Sequence, residues 1–276
     1  MDRLSGLTCL VTGSTGIAAA SAELFAAEGA RVFVVSRTEG HCRELVERLR
    51  KGGAEAAWHA GDLAEPETAE AAVAACRDTF GRIDSVFNVA GGSGRRFGDG
   101  PVHQATGPGW DYTLALNGRS FFLGCGAAVR AMLDQEPRSS AGGGPPIRGA
   151  VLNMSSALAL HPSPAHFPTH AYAAAKGAIV SASRAMAAYY APYGIRVNVV
   201  APSITMTPMA ARAASDPATL AYATWKQPLA GGFLDPFDVA RAALFLLSDD
   251  AARITGQVLE VDGGFGLLDE AWEGLR

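Results

Sequence analysis

Tyr172 and Lys176 are separated by three alanines, a spacing that puts a phenol and an ammonium on one face of a helix. A phenol with an ordinary pKa near 10 needs its phenolate stabilised by about 3 pH units, roughly 4 kcal/mol, to exchange protons near neutrality. A unit positive charge about 4 Å away, at an effective dielectric near 20, supplies up to roughly 4 kcal/mol. The pair therefore has the chemistry of a general acid and base. A surface pair on an alanine-rich helix would show the same spacing, so the surroundings decide between the two.

Three surrounding segments bear on that choice. Ala150 to Ser156 is an apolar run ending in hydroxyls, as a buried parallel strand opening into a site does. Ser155 and Ser156 compete there for the role of orienting a substrate oxygen. Leu7 to Val11 is a second apolar run, and it leads through Thr12-Gly13-Ser14-Thr15-Gly16-Ile17 into a helical pattern that ends at Gly29. Such a glycine turn lets backbone amides and a helix N-terminus approach a pyrophosphate. Arg31 to Ser36 follows as the next strand, and Asp62-Leu63 closes a third apolar segment, completing a βαβαβ half. At the end of the second strand stand Ser36 and Arg37 rather than the carboxylate that would bind a ribose hydroxyl. A guanidinium there suits a 2'-phosphate, and so NADP(H) in preference to NAD(H); the alternative is a solvated arginine opening the next helix.

Together these segments resemble the short-chain dehydrogenase/reductase family, in its main, 3-oxoacyl-carrier-protein-reductase-like type, from Leu7 to Gly264. The resemblance implies a catalytic set of Asn117, Ser156, Tyr172 and Lys176. Ser156, the second of its pair as in the family pattern, would orient the substrate oxygen and Tyr172 would pass the proton. Lys176 would lower the Tyr172 pKa and hold the nicotinamide ribose, and Asn117 would kink its helix and hold a water leading from Lys176 to solvent. Cofactor contacts are implied at Gly13, Ser14, Thr15, Gly16, Ile17, Ser36, Arg37, Asp62, Leu63, Tyr172 and Lys176. The Asn88-Val89-Ala90-Gly91 turn would shape the cofactor crevice through Asn88, Ala90 and Gly91, and Pro202, Thr205 and Thr207 would meet the nicotinamide or diphosphate. The chain departs from the pattern in its glycine turn, where only Ser14 and Thr15 precede Gly16 and Ala18 stands at the last glycine, or, read as the variant of the family's longer members, Ala19 stands there, and at Ser203, where a glycine usually follows Pro202. Alanine serves where close packing is needed and poorly where positive φ is.

With 276 residues, 49% hydrophobic and 18% charged, the chain suits one α/β domain over residues 1–276, a Rossmann-type doubly wound parallel sheet flanked by helices. A net charge of -4 without a basic block gives no footprint for nucleic acid or an anionic membrane. The four cysteines have no metal or disulfide spacing, and no leader or spanning segment is read, so a reducing cytoplasm is expected. Three histidines, His161, His166 and His170, lie before Tyr172, but the prolines between them argue for a rigid loop rather than a metal site, and no metal is expected.

Residues 203–235 read as a helical lid over a small-molecule carbonyl or alcohol. Residues 134–149, rich in Gly, Ser and Pro, read as a flexible insertion. Pro236 to Leu247 reads as an amphipathic helix. Gly256 to Gly264 reads as a final strand and turn resembling the segment on which the family builds tetramers, so a homotetramer is expected ahead of a dimer. The tail from Phe265, with Trp272, would fold over a neighbouring subunit or its pocket, or fray. The reaction expected is hydride transfer between NADP(H) and a ketone, aldehyde or secondary alcohol. The alternatives are the same chemistry with NAD(H), or a non-catalytic nucleotide-binding regulatory or structural subunit.

Overall fold

The computed structural model describes residues 2–140 and 143–268. Its strands are β1 (Thr8–Thr12), β2 (Arg31–Ser36), β3 (Ala56–Ala60), β4 (Ser85–Asn88), β5 (Gly149–Met154), β6 (Ile195–Pro202) and β7 (Val258–Val261). They form one sheet in the order β3-β2-β1-β4-β5-β6-β7, every neighbouring pair parallel. The order reverses between β1 and β4, and in such a sheet the crevice for a ligand opens beyond the carboxyl ends of those two strands.

The central strands are apolar on both sides because helices cover both faces. Alternation along β1 sends Cys9 and Val11 to the face covered by α1 (Ile17–Ala27), α2 (Glu39–Lys51) and α9 (Pro236–Leu247). It sends Leu10 to the opposite face, covered by α3 (Pro66–Phe80), α5 (Ser120–Asp134) and α6 (His170–Tyr190). Local chemistry sets the helix ends. Asp235 and Asp238 form a capping box around Pro236 at the start of α9, and Gly81 ends α3 in the left-handed region. Between α4 (Gly107–Leu114) and α5 the backbone widens into a π-turn, Ala115–Arg119, centred on Asn117.

The helix expected over Pro236 to Leu247 and the final strand are both present. Within 203–235 lie two short helices, α7 (Ala211–Ala214) and α8 (Pro217–Lys226). The stretch 134–149 is tied down at both ends, contrary to a loop free along its length. Arg138 and Ile147 form an antiparallel bridge, Gln135 donates to the carbonyls of Ile83 and Arg148, and Arg138 pairs with Asp249 at 2.6 Å. Trp272 and the rest of the tail beyond Leu268 lie outside the described residues, whereas Phe265 is buried under α8.

Candidate active site

At the carboxyl end of β1, Gly13 (φ 99°) and Gly16 (φ 55°) take the left-handed conformation that glycine alone adopts without strain. A Cβ on Gly16 would come within 2.9 Å of Thr207, and one on Gly13 within 2.9 Å of the Ala18 methyl. Ala18 itself has ordinary helical geometry inside α1, so alanine there costs nothing: this position calls for close packing and not for positive φ. Ser14 donates to the Ser36 hydroxyl at 3.0 Å, joining the glycine turn to the end of β2.

These residues wall a crevice of about 280 Å³. Thr15 and Ile17 join the glycine turn in its lining, Ser36, Arg37, Asp62 and Leu63 line it beyond β2 and β3, and Ala90 and Gly91 line it at β4. Arg37 and Asp62 face each other across it at 3.7 Å, both about half exposed. A glycine-walled crevice at a helix N-terminus, with a guanidinium at its far end, fits a dinucleotide phosphate.

Tyr172, Lys176 and Thr207 close the near end of that crevice. Tyr172 and Thr207 also line a second cavity of about 220 Å³, with Ser156, Pro202 and Thr205. Ser156 and Ser155 have different hydrogen-bond partners. The Ser155 hydroxyl is consumed by the Lys176 carbonyl at 2.8 Å, whereas Ser156 accepts the Leu158 N–H at 3.2 Å and lines the second cavity with Tyr172. Lys176 is buried, donates to the Met154 carbonyl at 2.9 Å, and is pushed down to about 8 by desolvation.

Burial raises the Tyr172 pKa, and the hydrogen bond from Ser156 opposes that rise. The ammonium stands 5.7 Å from the centre of the phenol ring and is directed at a carbonyl.

Two expected contacts are made differently. Asn88 does not line the crevice; its amide donates to Asn153 at 2.8 Å and to Cys125, and Asn153 in turn donates to Ser183, a buried polar chain that ties β4 to β5, α5 and α6. Asn117 is fully buried, its side chain bound to both backbone groups of Gly92 and to the Thr113 carbonyl, so both amide protons are taken and it shapes the π-turn. Of the histidines, His161 pairs with Glu260 at 2.7 Å, His166 stacks on Tyr222, and His170 accepts the Val102 N–H. They serve three separate places.

The sequence reading missed three residues. Thr12 accepts the N–H groups of Val89 and Ala90, locking β4 to β1 at the crevice. Asp99 accepts two N–H groups at the start of α6. Phe265 lines the second cavity from the far end of the chain. Only Thr12, beside the glycine turn, carried any local signal.

A family model described as Enoyl-(Acyl carrier protein) reductase matches residues 11–266. The chain belongs to the short-chain dehydrogenase/reductase family. Its relatives include an A-factor type gamma-butyrolactone 1'-reductase (1S-forming) of Streptomyces virginiae, 37% identical over 97% of this chain and 99% of the relative. Another is 2-(S)-hydroxypropyl-CoM dehydrogenase 3 of Xanthobacter autotrophicus, 35% identical over 95% and 98%. Among solved structures, a gluconate 5-dehydrogenase from Burkholderia cenocepacia in complex with NADP and tartrate superposes with a TM-score of 0.84 at 28% identity, covering 96% of this chain and 97% of that one. Short-chain dehydrogenases/reductases bind NAD(P), and this protein is such an enzyme, acting on CH–OH and C=O groups.

Proposed function

We propose that the enzyme interconverts a ketone or aldehyde and the corresponding alcohol with NADP(H), using Tyr172 as general acid and base. The observation that carries this is the position of Tyr172 in the wall shared by the two cavities, between the nucleotide crevice and the hydroxyl of Ser156. The nicotinamide, when bound, supplies a hydride in reduction and accepts one in oxidation.

In reduction Tyr172 gives its phenolic proton to the carbonyl oxygen, and in oxidation the phenolate takes it back from the alcohol. Ser156 orients that oxygen and donates to the phenolate. Accepting the Leu158 N–H leaves the Ser156 hydroxyl its proton to donate. Lys176 places its charge beside the ring, in a pocket where burial strengthens every electrostatic contact. Asn117 keeps the π-turn open and ties it to Gly92 beside the crevice.

NADP(H) is favoured because the end of β2 offers Ser36 and Arg37 and no carboxylate; Asp62 is the weak partner that Arg37 exchanges for a 2'-phosphate. Residues 203–235 form the substrate lid, with Met209, Ala210 and, in α7, Ala213 in the wall of the second cavity. The protein works as a homotetramer in the cytoplasm, where its four buried free cysteines stay reduced.

Two measurements test the proposal together. Titration with NADPH and with NADH, followed by nicotinamide fluorescence, should show tighter binding of NADPH. Tyr172→Phe should lose hydride transfer on a carbonyl panel by about a thousandfold or more while binding NADPH as before. Unchanged turnover in Tyr172→Phe overturns the mechanism, and preference for NADH overturns the role of Arg37.

A further inference from the structure

We propose that Arg95 recognises a carboxylate on the substrate, so that the preferred substrates are ketones or alcohols whose apolar body carries a terminal acid. The inference rests on the oxidoreductase reading of Tyr172. The second cavity is lined mostly by apolar side chains such as Met154, Leu158, Phe167, Ile204 and Phe265, together with hydroxyls near Ser156. Among the described residues that line it, Arg95 alone carries a full charge.

The guanidinium is unclaimed. Arg37, Arg82, Arg138 and Arg241 each face a carboxylate, whereas Arg95 has none within 4.0 Å among the described residues. Its backbone N–H is held by Ser93, and no side-chain hydrogen bond joins its guanidinium to a described residue. Nor is it a cofactor contact, because it does not line the nucleotide crevice. A planar fork of N–H donors beside an apolar cavity matches a carboxylate through two parallel hydrogen bonds.

The loop that carries Arg95 is fixed relative to Tyr172. Gly94 packs against Thr113 with no room for a Cβ, and Phe97 stacks on Tyr112 at 3.7 Å. Gly98 turns the chain at φ 101°, and Asp99 is hydrogen-bonded to the N–H groups of Ala171 and Tyr172. Charge recognition and proton transfer are thus mounted on one support, which holds the acid end of a substrate at a set distance from the reacting carbonyl.

The test compares 4-oxopentanoate, 5-oxohexanoate and 6-oxoheptanoate with their methyl esters, on the full-length enzyme and on Arg95→Leu and Arg95→Lys. Two readouts are taken: kcat/KM with NADPH, and calorimetric binding with NADP+ present, where no turnover occurs. At least one acid should exceed its ester by about tenfold or more in both readouts, the range of a hydrogen bond to a charged group. Arg95→Leu should remove that preference by weakening the acid only, Arg95→Lys should restore part of it, and NADPH affinity should not change. The proposal is overturned if no acid is preferred to its ester by the wild-type enzyme, or if Arg95→Leu weakens acid and ester alike. Acids that bind in an Arg95-dependent way but are never reduced would leave Arg95 standing and sink the oxidoreductase reading instead.

Discussion

The carboxylate of Asp99 accepts the backbone N–H of Tyr172 at 3.1 Å and that of Ala171 at 3.0 Å, fixing the proposed acid at the first turn of its helix from a loop 73 residues earlier. The N-cap residue Thr169 makes no side-chain cap of its own, so Asp99 does that work from outside the helix. A buried carboxylate on two amides at a helix N-terminus also meets the positive end of the dipole.

Asp99→Ala should therefore cost about 1–2 kcal/mol in urea unfolding. It should also lower kcat by roughly tenfold with little change in KM, because the phenol loses its fixed position rather than its partner. Asp99→Asn keeps one of the two accepting oxygens, sets an NH2 donor against the other N–H and removes the charge, so it should recover only part of either loss. A drop in stability with kcat unchanged would make the contact purely structural.

Arg37→Ala should raise the Kd for NADPH by about tenfold or more and leave that for NADH within about twofold, read by nicotinamide fluorescence. Only the 2'-phosphate distinguishes the two ligands, so an equal loss for both would place Arg37 on another part of the nucleotide. The effect should shrink as salt is added, since the side chain is half exposed.

Lys176 binds its proton less tightly in the folded protein, where burial sets its pKa at about 8, than in the unfolded chain with its ordinary value of 10.5. Between those values the unfolded chain holds more protons, so folding stability from this group rises as pH rises from about 8 to about 10.5. Below pH 8 the buried ammonium costs up to roughly 3 kcal/mol. Lys176→Met should consequently raise Tm at pH 7, with the gain fading by about pH 10.5, while turnover is lost. A gain in Tm that does not change with pH would attribute the effect to packing. Above about pH 10 the raised pKa of Tyr172 works in the opposite direction, because the folded protein then holds the extra proton.

The loop before α6 is clasped to α8 by Tyr222, whose hydroxyl bonds Ser163 at 2.8 Å while its ring stacks on His166 at a centroid distance of 3.9 Å. Tyr222→Phe keeps the stack and loses one hydrogen bond, and should cost about 1 kcal/mol or less. Tyr222→Ala loses these together with the ring contacts to Trp225 and Phe265, and should speed hydrogen exchange across 217–226 and raise KM for the substrate without weakening NADPH. Unchanged exchange in Tyr222→Ala would show that α8 is held by its other contacts.

The sequence was most legible where backbone conformation dictates residue type. Gly13 and Gly16 sit at positive φ, and Tyr172 with Lys176 follows from helical spacing, so each could be read locally. The strands were legible for the same reason, since burial on both faces demands continuous apolar runs. Asp99 was not, because a carboxylate in a glycine-rich loop acquires its meaning only when the fold brings α6 to it. Asn88 was read in the turn beside the cofactor, whereas it ends β4 and its amide points at Asn153, 65 residues later, a partner no local pattern signals. The ends of 134–149 were hidden in the same way. Glycine, serine and proline signalled a loop, while Ile147 and Arg138 anchor it through partners far along the chain.

Ile17, Met154, Tyr172, Thr207 and Met209 line both cavities, so the nucleotide and the substrate do not occupy independent rooms. Each ligand that settles against this partition fixes side chains that the other must meet. The two affinities are then joined by a single coupling free energy, and whatever factor the nucleotide contributes to substrate binding, the substrate returns to the nucleotide.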